Sequence, residues 1–86
     1  MAFTFTEQTI GGLSVSFHKV TATRLDMSTG AAEATLSSWQ DQASAQRGTS
    51  PILTRTFAFT PDGGLLHQSA QAQILSDPAW AGAEVL

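Results

Sequence analysis

The chain has 86 residues, no cysteine and a formal net charge of −3, with only four basic side chains. A chain of this length forms one domain over residues 1–86, with a small core. The lack of cysteine excludes disulfide bonds and zinc sites built from thiolates. Four scattered basic residues give no positive stripe for a phosphate backbone, so we expect no nucleic-acid partner.

The sequence also contains no recognisable targeting or membrane segment. Residues 1–10 lack the positive region and apolar run of a signal peptide. No apolar stretch approaches the about 20 residues that a membrane-spanning helix needs. We therefore expect a soluble protein that is made in a cytosol, is not exported by a signal peptide of its own and has no membrane partner.

The N-terminal segment is the first predicted element. Residues 3–10 open with alternating Phe and Thr, which predicts a short strand. Gly11 and Gly12 then end the segment. Residues 1–11 therefore form either a strand of the domain or an ordered N-terminal arm.

A longer strand pattern begins after the glycines. Leu13, Val15 and Phe17 share one strand face, but the apolar phase then shifts. Because side chains of a regular strand alternate between faces, one flat strand cannot show such a shift. The pattern predicts a β-bulge near His18 and Lys19, in preference to a break between two strands.

The middle of the chain alternates between turn and strand patterns. Residues 27–32 supply Ser, Thr and Gly for a hairpin turn, and a strand over 31–40 follows, ending near Trp39. The polar residues 41–48 predict one helical turn that Gly48 closes.

Residues 51–60 give the clearest strand pattern. The apolar side chains share one face with Arg55, and threonines occupy the opposite face. The apolar positions are Leu53, Phe57 and Phe59, and the threonines are Thr54, Thr56 and Thr60.

The periodicity then changes to that of a helix over residues 65–75. Leu66, Ala70 and Ile74 recur every four residues and form one apolar stripe. Asp62 is placed near the helix N-terminus, where an acid complements the helix dipole.

The last residues are unusually apolar for a chain end. Pro78 stops the helix, and Trp80 is expected to fold back against the helix or the sheet. Val85 and Leu86 are expected to remain a loose apolar end. Together these elements predict an α+β fold: a small antiparallel sheet of three to four strands with one C-terminal helix packed across it.

No residue set in the sequence spells out a catalytic, cofactor or metal site. Neither His18 nor His67 has a second ligand at the spacing of helical metal sites. The serines are too numerous for any Ser-His-Asp combination to be informative. A chain this short has little room for a deep pocket. We therefore predict that the protein is not an enzyme and needs no cofactor.

Contacts with a partner protein are the alternative to chemistry. Each tryptophan is either part of the core or an interface anchor, since buried indoles dominate many interfaces. Arg55 either lies with its stem packed flat at an edge or forms an ion pair between subunits with Asp26 or Glu33. The interface candidates are Trp39, Arg55, Trp80, Val85 and Leu86.

Three stretches resemble a group of small tailed-phage virion proteins of about 80 to 100 residues. They are GLSVSFHKVTATRLDMSTG (12–30), TRTFAFTPD (54–62) and AQAQILSDPAWAGAEVL (70–86). The first resembles the opening strand and turn of that family, the second its Phe-x-Phe-x-Pro strand end, and the third its final helix and aromatic tail.

The resemblance implies a structural role in a virion, as a small tail, baseplate or fibre-attachment component. It implies packing against other phage structural proteins and further copies of the chain, after synthesis in the bacterial cytoplasm. A capsid decoration or head–tail connection protein is the first alternative. A monomeric phage-encoded binding module is the second.

Overall fold

The fold is built on one antiparallel sheet. The structure is a computed structural model that describes residues 2–8, 11–61 and 63–86. The strands are β1 (Ala2–Gln8), β2 (Ser14–Leu25), β3 (Ala32–Trp39), β4 (Leu53–Phe59) and β5 (Glu84–Val85). Strands β1 to β4 form a meander, and the short strand β5 pairs with the free side of β1, which gives the order β4-β3-β2-β1-β5. The helices are α1 (Gln42–Gln46), α2 (Leu66–Leu75) and a 3₁₀ turn at Pro78–Trp80.

This arrangement confirms the predicted α+β fold with a C-terminal helix across the sheet. The sheet has five strands because the last residues add β5 beside β1. The helical turn predicted over 41–48 is present as α1, and Asp41 caps it by accepting a hydrogen bond from the Ser44 amide. Gly48 follows it at a φ of 77°, a conformation that favours glycine. The predictions for residues 9, 10 and 62 lie outside the described residues.

The phase shift in the second strand is a β-bulge, as predicted. Strand β2 runs without a break, and its pairing with β3 shifts between Val20 and Ala22. The extra residue therefore lies two positions later than the sequence pattern indicated. Its effect is to place Leu25, which pairs with the core residue Ala32, on the same face of the sheet as Val20.

The hairpin between β2 and β3 is held by Asp26. Its backbone N–H donates to the Ala31 carbonyl, and its carboxylate accepts from both the amide and the hydroxyl of Ser28. The hydrogen bonds from the Ser28 hydroxyl and amide hold the pKa of Asp26 below its ordinary value. Gly30 takes a φ of 75° to complete the turn.

The main core lies between α2 and one face of the sheet, which we call the helix-facing face. Helix α2 contributes Ala70 and Ile74, so the predicted four-residue stripe is the side that packs. The sheet residues in this core are Phe3, Val20, Ala32, Ala34, Leu36 and Phe59, and Trp80 completes it.

The opposite face of the sheet holds a second, smaller cluster. The rings of Phe17 and Trp39 lie 5.9 Å apart there, next to α1. The Trp39 indole N–H donates to the Thr49 carbonyl, which fastens the α1–β4 connection to the sheet. Leu36 and Trp39 therefore point to opposite faces, as strand alternation requires.

The C-terminus is fixed by backbone pairing, so the expectation of a loose end is wrong for the main chain. Val85 of β5 pairs with Phe3 of β1, and the Leu86 amide donates to the Ala2 carbonyl at 3.0 Å. Their side chains remain 59% and 58% exposed. Trp80, by contrast, folds back as predicted and is buried against Phe3.

We predict that Trp80→Ala lowers the free energy of unfolding by about 3–5 kcal/mol, the usual cost of removing a buried aromatic ring. Val85→Ala removes an exposed side chain from the same tail and should cost less than about 0.5 kcal/mol. Urea denaturation followed by circular dichroism measures both values. Equal losses for the two variants would contradict the structure.

Candidate functional site

An ion pair between Glu7 and Arg55 spans the helix-facing side of the sheet. Arg55 Nη2 lies 2.5 Å from Glu7 Oε1, and Nη1 lies 3.4 Å from Oε2, so the contact is bidentate. Both side chains are about a quarter exposed. Within the chain the carboxylate that Arg55 binds is thus Glu7, and not Asp26 or Glu33, the acids that the sequence analysis named.

The pair joins β1 to β4, which have β2 and β3 between them. Neighbouring strands lie about 4.8 Å apart, so only two long side chains approaching each other can bridge this distance. The pairing of β1 with β2 shifts between Thr4 and Glu7. This bulge bends the end of β1 and brings Glu7 within reach of Arg55.

Trp80 provides an aromatic surface for the guanidinium. The Arg55 carbon Cζ lies 5.0 Å from the centre of the Trp80 ring and 5.9 Å from that of Phe57. Cations at such distances from an aromatic face are attracted by its negative potential. Arg55 is therefore held by Glu7 and by the two rings together.

A buried histidine continues the polar network. His18 Nε2 lies 2.7 Å from the Phe5 carbonyl oxygen, which can only accept, so this nitrogen carries the proton. His18 Nδ1 then accepts from the Ser38 hydroxyl at 2.7 Å. The same hydroxyl oxygen accepts a long contact of 3.5 Å from Arg55 Nη2. Among the described residues, Arg55 Nε of this network is buried without a hydrogen-bond partner.

Burial favours the neutral form of His18. Burial lowers the pKa of His18 below its ordinary value of 6.5, and the nearby Arg55 charge acts in the same direction. The hydrogen bond to Phe5 and the charge of Glu7 oppose the shift, but burial prevails. Because both His18 and Ser38 are fully buried, their hydrogen bond joins strands and is not open to a substrate.

An apolar groove opens beside the ion pair. It has a volume of about 460 Å³ and is lined by Leu13 and Ile52 at its rim, with Leu53, Glu7 and Arg55 deeper in. Leu13 is 57% and Ile52 41% exposed. We call this feature the Leu13–Ile52 groove. Its walls are mainly apolar, and the Glu7–Arg55 ion pair lies at its floor. This composition suits a protein segment better than a small polar ligand.

The five interface candidates are not brought together. Arg55 and Trp80 are in contact, whereas Trp39 lies on the other face of the sheet. Val85 and Leu86 lie in and after the edge strand β5, away from the groove lining. Trp80 and Trp39 are both buried within the chain, in keeping with their interpretation as core residues.

The sequence analysis missed Glu7, Leu13 and Ile52. The available signal for Glu7 was its position as the single acid among the Phe and Thr residues of the first strand. Leu13 follows Gly12 and Ile52 follows Pro51, each at the start of a segment. Next to such turn residues, the sequence pattern does not indicate whether an apolar side chain is exposed. Only the sheet pairing places them at one end of the molecule.

The comparisons with known proteins do not identify the chain. No family model, curated protein or solved structure matches it. Among the residues described, no group of three or more His, Asp or Glu side chains could hold a metal ion. In the same residues, neither helix is long and apolar enough to cross a membrane.

We predict that stability falls as the pH drops below 6.5, because the unfolded chain then binds a proton that folded His18 resists. The contribution is fully present above 6.5 and declines until the folded-state pKa is reached, with a slope of at most about 1.4 kcal/mol per pH unit. Thermal denaturation from pH 7.5 to pH 5 measures it. His18→Gln should flatten this slope.

We also predict that Glu7→Gln costs about 1–2 kcal/mol, because it leaves the half-buried Arg55 without its counter-charge. Glu33→Gln removes an exposed acid and should stay within about 0.5 kcal/mol of the original chain. Urea unfolding at pH 7 and at low salt compares the two. Similar values for both variants would mean that the Glu7–Arg55 contact is not formed in solution.

Proposed function

We propose that this chain is a structural subunit of a phage virion. In this proposal it is a small tail, baseplate or fibre-attachment component that works by packing against other structural proteins. The Leu13–Ile52 groove carries the proposal, because it is the place where apolar side chains stand exposed around an ordered pair of charges. The family resemblance of segments 12–30, 54–62 and 70–86 supports the phage context.

The groove resembles a protein-binding surface in its exposed apolar rim and its ion pair. Its apolar rim can be buried by an incoming aliphatic or aromatic side chain, which is the main source of association free energy. The Glu7–Arg55 pair at its floor keeps its mutual contact through both guanidinium Nη atoms when water leaves. A partner therefore gains apolar burial without stranding a charge.

The rigidity of the surroundings also favours a structural role. Leu13 and Ile52 each lie next to a strand of the same sheet. The hydrogen bonds among Arg55, Ser38 and His18 connect the strands close to them. A binding surface on such a frame loses little conformational entropy on association.

The test is the composition of the particles released by the host strain that encodes the chain. We expect mass spectrometry to find the chain in purified particles, and gold-labelled antibody to place it on the tail in electron micrographs. Labelling spread over the head, with hundreds of copies per particle, would indicate a decoration protein and defeat the tail role. Absence from the particles would defeat the virion role altogether.

The groove is tested in the same particles with a point variant. Ile52→Glu places a charge at the apolar rim and should reduce incorporation at least about tenfold, which corresponds to about 1.4 kcal/mol of lost contact. Met27→Glu adds the same charge at an exposed turn outside the groove and should be incorporated normally. Equal incorporation of the two variants would show that the groove is not the contact surface.

A further inference from the structure

Strand β4 lies at one edge of the sheet, and some of its backbone N–H and C=O groups point outward, away from β3. The Thr60 amide donates to the side chain of Gln73, and the Thr60 carbonyl accepts from the same side chain, on the side away from β3. In an antiparallel sheet the N–H and C=O of successive residues point to alternate sides. Thr54, Thr56 and Ala58 therefore point theirs away from β3 as well.

The inner side of β4 supports this assignment. The Ser38 carbonyl of β3 points towards β4, where it accepts from the Ile52 amide at 2.8 Å. Ser38 pairs with Leu53, Leu36 with Arg55, and alternate residues follow. The odd-numbered residues of β4 thus use their backbone groups against β3.

The open stretch has defined ends. Gln73 covers the position of Thr60, and Pro51, before the strand, has no N–H to offer. Between them Thr54, Thr56 and Ala58 are exposed, and among the described residues no strand lies outside β4. The edge that remains open is therefore Thr54 to Ala58.

This open edge lacks the usual protection against pairing. Natural edge strands carry charges, prolines or bulges, or are very short. The other edge of this sheet follows that rule, because β5 has two residues and one of them is Glu84. On the open edge of β4, by contrast, the residues with free backbone groups have small neutral side chains, and the one charge of the strand, Arg55, is already bound by Glu7.

We propose that the β4 edge pairs antiparallel with the same edge of a second copy of the chain, about a two-fold axis at Thr56. In this register Thr56 faces Thr56 of the other copy, and Thr54 faces Ala58. Every outward N–H and C=O between Thr54 and Ala58 then finds a partner. The proposal stands on the strand geometry and is independent of the virion role.

The side chains fit this register on both faces of the joined sheet. The Thr56–Thr56 contact is a favourable cross-strand pair, and Thr54 opposite Ala58 brings two small groups together. On the helix-facing side Arg55 comes opposite Phe57, a residue whose ring it already approaches to 5.9 Å within one chain. No two like charges face each other, which makes the edge complementary to itself.

Disulfide trapping tests the register, because the chain has no cysteine of its own. In the proposed pairing the two Cα atoms of residue 56 are about 5.5 Å apart, within the range of a disulfide. Those of residue 54 are offset by four residues along the strand and lie about 14 Å apart, which is beyond that range. With oxidised glutathione, Thr56→Cys should form a covalent dimer and Thr54→Cys should stay monomeric.

Edge charges supply the second arm of the test. In the T56C background, T54K/A58K sets lysines opposite each other across the proposed seam and should abolish the covalent dimer. A43K/A72K adds the same charge at exposed alanines of the two helices and should leave the dimer unchanged. Circular dichroism confirms that each variant is folded. Trapping of T54C as readily as T56C, or no trapping of T56C, would overturn the proposal.

Discussion

The indole of Trp80 is the contact on which the rest of this domain depends. Its ring lies 5.4 Å from that of Phe3 and 5.2 Å from that of His18, and it also supports the Arg55 guanidinium. It reaches this position because Pro78 begins a 3₁₀ turn after α2, capped by Asp77. A residue close to the C-terminus thereby joins both ends of the chain to the centre of the sheet. In a domain this small, one such ring is a large share of the core.

The polar network follows from this packing. Once the indole and the Phe3 ring cover His18, the imidazole must be neutral and hydrogen-bonded on both nitrogens, since an unpaired buried polar group is costly. Phe5 and Ser38 satisfy it on the two sides. Arg55 and Glu7 lie where this covering ends and the apolar groove begins. The boundary between core and surface therefore carries the paired charges.

The two proposed contact regions differ in their chemistry and meet at Arg55, which lines the groove and lies within the open edge of β4. The Leu13–Ile52 groove offers apolar area around an ion pair, which suits burial of side chains from another protein. The β4 edge offers backbone hydrogen bonds and small neutral side chains, which suits a strand. A subunit that used both would contact a copy of itself through the edge and a different protein through the groove.

Patterns local in the chain were determined by the sequence alone. The alternation from Leu53 to Phe59 and the four-residue stripe of α2 predict their elements because strands and helices have periods of two and 3.6 residues. The phase shift in β2 likewise predicted a bulge, in preference to a break between two strands.

The Glu7–Arg55 pair could not be found in this way, because its members are 48 residues apart and meet through the order of the strands and a bend in β1. The same holds for the exposure of Leu13 and Ile52 and for the open edge of β4. These features depend on which strands become neighbours, and that is decided by tertiary packing around Trp80.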